Sequence, residues 1–164
     1  MPLVKSGATA ADAFIRVADD AALPDGPVIV SAERFLAEAD ALALRNGEIG
    51  VAWPNARDVA ELQPYLSRLS LVALSFPKFR DGRAFSQARL LRERYGFKGE
   101  LRATGNVLRD QVLMMVRSGF DAFELEKEAD AEAFSAALAS YTVFYQPTGE
   151  GRRTVAEARA AVEG

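Results

Sequence analysis

The sequence contains no cysteine and no histidine. Their absence excludes disulfides, Cys/His zinc sites, iron–sulfur ligation, thiol redox chemistry and a Ser-His-Asp triad within one chain. Carboxylates alone can still hold Mg²⁺ or Ca²⁺, but no set of them spells a site and no metal is assigned. No apolar run approaches the roughly 20 residues of a membrane span. The start, Met1-Pro2-Leu3-Val4-Lys5-Ser6, lacks the apolar core of a signal peptide, so a cytoplasmic protein with no membrane partner is expected. Neither a three-glycine dinucleotide fingerprint nor the GK[ST] of a P-loop is present. Repeats, heptads and low-complexity tracts are missing too.

What is present describes an ordered globular chain. The 164 residues are 49% hydrophobic and 26% charged, with a net charge of -3. That length fits about one domain, and the acidic balance argues against nucleic-acid binding. The charge is unevenly spread. Between Phe76 and Arg109 nine basic residues meet three acids, a local +6 that leaves -9 for the remainder. A basic centre in an acidic chain suits a small anion or an acidic partner patch. A solvated helix face is the plainer account for its helical arginines.

Apolar periodicity alternates between strand and helix. Strands are predicted at Phe14 to Val17, Pro27 to Val30, Ile49 to Trp53, Leu71 to Leu74, Leu101 to Thr104 and Ala122 to Leu125. Helices are predicted after Ser31, after Asp58, over Arg83 to Tyr95, around Val112 to Val116 and over 130–140. Ser31 reads as an N-cap, Asp58 to Glu61 as a capping box, and Gly96 and Gly119 as helix stops. Residues 1–12 are expected to fray. Tyr141 to Tyr145 reads as a last strand or edge. The whole is an α/β single domain over 1–146 with its core at 69–125, followed by a polar C-terminal tail at 147–164. Its sheet is expected to be mainly parallel, with four to five strands and βαβ crossovers, either doubly wound or half-barrel-like.

Parallel sheets of this kind bind ligands beyond the carboxyl ends of their strands. That places Lys78, Arg80, Asp81, Arg83 and Ser86 after one strand, Asn106, Arg109 and Asp110 after the next, and Glu124 at the end of a third. Lys78, Arg80, Arg83, Ser86, Arg102, Asn106 and Arg109 are the candidate anion-binding residues. Asp81, Asp110 and Glu124 are candidate acid/base groups, Glu124 being favoured because a carboxylate near arginines and apolar walls can be tuned. Asp81 also reads as an ordinary N-cap, and Gly105 as a turn needing positive φ. Arg102 lies in a strand that reads as buried. Its partner is expected to be Glu124 or Asp110, in a structural ion pair or as one arm of a site.

The blocks FPxFxDGR (Phe76, Pro77, Phe79, Asp81, Gly82, Arg83), LLRxR (Leu90, Leu91, Arg92, Arg94), GExRAxGxVLxDQ (Gly99 to Gln111) and GFDAF (Gly119 to Phe123) closely resemble the signature of an uncharacterised bacterial family. Its members are labelled oxidoreductases involved in sulfite reduction and are found associated with assimilatory sulfite reductase. The resemblance is dense from Phe76 to Leu125. It implies a role in sulfur assimilation and supplies no catalytic residue. Sulfite reduction itself needs a haem-type centre and iron–sulfur ligands, which a chain without Cys or His does not provide. An accessory role is therefore expected, binding the reductase, an associated electron-transfer protein or a small oxyanion. The alternatives are an enzyme acting on an anionic metabolite and an interaction module gripping an acidic partner. No cofactor is assigned. Flavin, which has no reliable short motif, stays open, as does homo-oligomerisation.

Overall fold

The computed structural model describes residues 1–78 and 80–140. Eight strands form one sheet: β1 Leu3–Lys5, β2 Ala8–Ala10, β3 Ile15–Arg16, β4 Val28–Ser31, β5 Ile49–Trp53, β6 Leu71–Phe76, β7 Glu100–Gly105 and β8 Ala122–Glu124. Their spatial order is β2-β1-β8-β7-β6-β5-β4-β3. From β3 to β8 every strand pairs in parallel with the next in sequence. The order never reverses, so right-handed crossovers carry all the intervening helices to one face. The sheet is therefore a curled half-barrel within a single α/β domain, and the doubly wound alternative, which needs a reversal, is not adopted.

The two faces separate in the packing. Val28, Val30, Val51, Val72, Leu74, Leu101, Ala103 and Phe123 join the main core under the helices. The alternate residues Ile29, Leu71 and Ala73 form a small separate cluster with Phe14 and Ala52 on the concave face. Period-two alternation thus assigns each strand residue to one of two different environments.

Eight strands exceed the expected four to five in part because β1 and β2, three residues each, lie in the segment expected to fray. They carry too little pattern to be read locally. Residues 1–12 do not fray: Leu3 and Val4 are buried, and β1 pairs antiparallel with both β2 and β8. Only Ala11 to Phe14 separate β2 from β3, which lie at opposite ends of the sheet. Those few residues reach roughly 17 Å, whereas seven strand spacings in a flat sheet measure roughly 33 Å. The concavity brings the two ends together.

Local chemistry explains the helices. The Ser31 hydroxyl accepts from the Arg34 N–H at 3.1 Å and caps α1, Ala32–Ala43, which buries Phe35, Ala39 and Leu42. Asp58 caps the next segment through the Ala60 N–H at 2.9 Å. Glu61 turns to Arg57 instead of completing the capping box, and with Pro64 inside, Val59–Arg68 winds as a 3₁₀ helix. α2, Arg83–Arg89, runs on into a π-helical turn, Leu90–Arg94. α3 spans Val112–Ser118 and α4 Ala129–Ser140. Among the described residues no helix is long and apolar enough to cross a membrane. The strand read at Tyr141 to Tyr145 and the tail at 147–164 lie outside the described residues.

Gly119 ends α3 at φ 106, and a Cβ there would lie 2.5 Å from Cγ of Arg92. The substitution Gly119→Ala should lower the unfolding free energy by more than about 1 kcal/mol. Urea denaturation of the two proteins side by side measures it.

Candidate functional site

β6 and β7 end in register, Phe76 opposite Gly105. The Asn106 N–H donates to the Phe76 carbonyl at 2.8 Å. The two following loops therefore leave the sheet side by side at its carboxyl edge. Gly105 is required there: its φ is +82, and a Cβ would come within 2.7 Å of the Phe76 carbonyl oxygen.

The first loop exposes Lys78 and Arg80, neither of which has a side-chain partner among the described residues. Arg83 is committed. Its guanidinium donates to both carboxylate oxygens of Asp81, at 2.9 and 2.6 Å. That pairing holds the Asp81 carboxyl well below the usual carboxylate range and raises Arg83. Gly82, not Asp81, is the N-cap residue of α2. Asp81 instead accepts the Arg83 N–H at 3.3 Å, so it anchors the arginine twice. Ser86 is exposed on α2. In the second loop Asn106 is half-buried, while Arg109 and Asp110 are exposed. Arg109 and Asp110 line a cavity of about 350 Å³ together with Leu125, Asp130 and Phe134. Among the described residues no three Asp or Glu side chains group to hold a metal ion.

Arg102 and Glu124 are not part of that edge; both point into the concavity. Arg102 is fully buried and donates to the two Asp12 oxygens at 2.6 and 2.9 Å and to Glu100 at 2.7 Å. Its guanidinium lies 5.9 Å from the centre of the Phe14 ring. Glu124 Oε2 is 3.9 Å from Arg102 and accepts from Arg16 at 2.7 Å. Lys5 pairs with Glu100 at 2.5 Å. Three cations thus face three carboxylates, the balance a buried network requires. Burial alone would lower Arg102, but the hydrogen bonds from Asp12 and Glu100 outweigh it and keep the guanidinium charged.

Of the two expected partners of Arg102, Glu124 forms an ion pair with it, at 3.9 Å, and Asp110 does not. Asp12 and Glu100 hold the guanidinium more closely, and Asp110 lies in the edge cavity instead. Glu100 is two residues away on the same face of β7, so alternation alone could have found it. Asp12, from a segment expected to fray, gave no signal. The cavity residues Leu125, Asp130 and Phe134 gave none either.

The basic centre is divided by the fold. Arg92 donates to the carbonyls of Gly119, Phe97 and Gly99 at 3.0, 2.7 and 2.8 Å, and to Asp121 at 2.9 Å. It staples the amino edge of the sheet. Arg94 lies over Tyr95. Lys78, Arg80 and Arg109 have no side-chain partner among the described residues at the carboxyl edge, and Lys98 lies against a cavity of about 410 Å³ at the amino edge.

Burial pushes the Asp12 carboxyl up, but the Arg102 hydrogen bond, the Phe14 N–H and the nearby cations together bring it below its ordinary value. A carboxyl depressed on folding stabilises fully above its unfolded value near pH 4 and loses that contribution as pH falls through the folded value. Removing one partner of a buried pair is costly, and Asp12 is 35% exposed, which weakens the effect. Asp12→Ala should therefore destabilise by about 2 kcal/mol at neutral pH. The gap to wild type should narrow as pH falls from about 4 through the lowered folded value, as urea midpoints measured across that range would reveal.

No curated protein and no solved structure matches the chain. A family model matches residues 50–156, a span that takes in both edge loops and the cavity. The chain belongs to DUF934, a family of bacterial proteins of unknown function.

Proposed function

We propose that the protein is an accessory factor of assimilatory sulfite reduction that meets the reductase, or an electron-transfer protein serving it, through the carboxyl edge of its half-barrel. The observation that carries this reading is the set of unpaired cations Lys78, Arg80 and Arg109 on neighbouring loops of one edge. Of the other six residues of the basic centre, Arg83, Arg92 and Arg102 are committed to ion pairs, while Arg89, Arg94 and Lys98 lie away from this edge on α2, its π-helical turn and the amino-edge loop. Exposed charges of one sign steer an oppositely charged partner or oxyanion. The resemblance of the Phe76–Leu125 segment supplies the pathway. Without Cys or His this chain offers no haem or iron–sulfur ligand, so an assisting role fits it better than the reduction itself.

A second reading, an enzyme acting on an anionic metabolite, draws on Arg109 and Asp110 lining one cavity. Of its three acid/base candidates, Asp81 is tied to Arg83 and Glu124 to Arg16. Asp110 is the one left at the cavity.

Immobilised protein should capture purified sulfite reductase at low ionic strength and release it as salt rises. The triple reversal of Lys78, Arg80 and Arg109 to Glu should weaken capture about tenfold or more. Normal growth of a deletion strain on sulfate as sole sulfur source would sink the proposal. An absorbance spectrum showing bound flavin would turn it toward oxidoreductase chemistry.

A further inference from the structure

The carboxyl-edge cavity shares Arg109 with the proposed docking edge but has a character that docking alone does not account for. Its floor is apolar, with Leu125 and Phe134 almost fully buried and Val107 beside them. Around that floor stand one guanidinium, Arg109, and two carboxylates, Asp110 and Asp130. All three are exposed, and none has a side-chain partner among the described residues. Asp110 and Asp130 lie in the first turns of their helical segments, where the backbone dipole favours an acid. That accounts for the two carboxylates, but not for an unpaired arginine and an apolar floor in the same cavity. In the amino-edge cavity the contrast is plain: Arg92 and Asp121 are consumed by each other and by backbone groups.

The charges restrict the ligand. A plain anion attracted to Arg109 would share the cavity with two carboxylates. A plain cation drawn to the acids would share it with Arg109. A molecule carrying both charges satisfies all three groups. A guanidinium fork matches a carboxylate at two points, and an ammonium has three donors and no acceptor, which suits two carboxylates. A volume of about 350 Å³ accommodates a body of amino-acid size. We propose that this cavity binds a small zwitterion with an apolar side group, of the form of an α-amino acid. Its carboxylate would sit on Arg109, its ammonium on Asp110 and Asp130, and its side group on the Leu125–Phe134 floor. The inference does not depend on the reductase reading.

The test is an NMR or calorimetric titration of the full chain with leucine, methionine and phenylalanine. The single-charge analogues 4-methylpentanoate and 3-methylbutylamine are titrated alongside. At least one amino acid should saturate, and both leucine analogues should bind about tenfold or more weakly than leucine. Arg109→Ala and Asp130→Asn should each weaken amino-acid binding by a similar factor with unchanged circular dichroism. Arg109→Lys, which keeps the charge, should retain part of it. Failure of all three amino acids to saturate would overturn the proposal. So would a monoanion binding as tightly as leucine, or variants that leave affinity unchanged. Loss of reductase capture in the preceding experiment would leave it standing.

Discussion

The buried guanidinium of Arg102 is the constraint around which the concave face is arranged. An unpaired charge in that position would be strongly destabilising, and its neighbours in the strand order offer only alanines, Ala73 and Ala122. Its donors reach Glu100 on its own strand and Asp12 on the segment joining β2 to β3. That segment spans the open side of the half-barrel. Arg16 and Lys5 then occupy the carboxylates that would otherwise stand in excess, Glu124 and Glu100. The course of the amino-terminal segment and the charge balance of the concave face therefore share one electrostatic cause.

The division of faces has a functional side. With every described helix on the convex face, no described helix covers the carboxyl edge from the concave side. The loops after β6 and β7, in register at Phe76 and Gly105, build that edge without needing a strand-order reversal. Half-barrels and closed barrels share this property, since function-bearing loops follow the strand ends. Here the edge offers two distinct surfaces. One is an exposed basic loop with Lys78 and Arg80. The other is a mixed-charge cavity under α4.

Much of the architecture was legible because it rests on local periodicity. Pro27 to Val30, Ile49 to Trp53 and Leu71 to Leu74 read as strands, and strands form at Val28–Ser31, Ile49–Trp53 and Leu71–Phe76. Ser31 and Asp58 cap their helices, and Gly105 turns with positive φ. What escaped was long-range. β1 and β2 are too short to show alternation, and β1 is held by β8, more than a hundred residues away, whereas β3 falls within the strand read at Phe14 to Val17. The same reason hid Asp12 as the counter-ion of Arg102. The candidate site was legible only as a list of charges on one edge. Nothing in the sequence distinguished Arg92, consumed by three carbonyls, from Arg109, which is left facing a cavity. That distinction depends on which carbonyls the fold leaves unsatisfied, and residue types do not encode it.

The pairing of Leu3 with Glu124 also sets an order of events. On a ribosome, the first strand is made long before the eighth strand that it must join. The hairpin Leu3–Ala10 buries little alone, and a two-stranded hairpin is marginal in water. The parallel core from β4 to β7 can assemble from neighbouring segments as they emerge, but β1 must wait for residues 122–124. Such non-local closure is slow compared with local helix and hairpin formation. Until it occurs, the flank of β8 presents an unpaired ladder to the surroundings. The return of β1 thus follows the making of β8, and it also carries Asp12 toward the buried arginine.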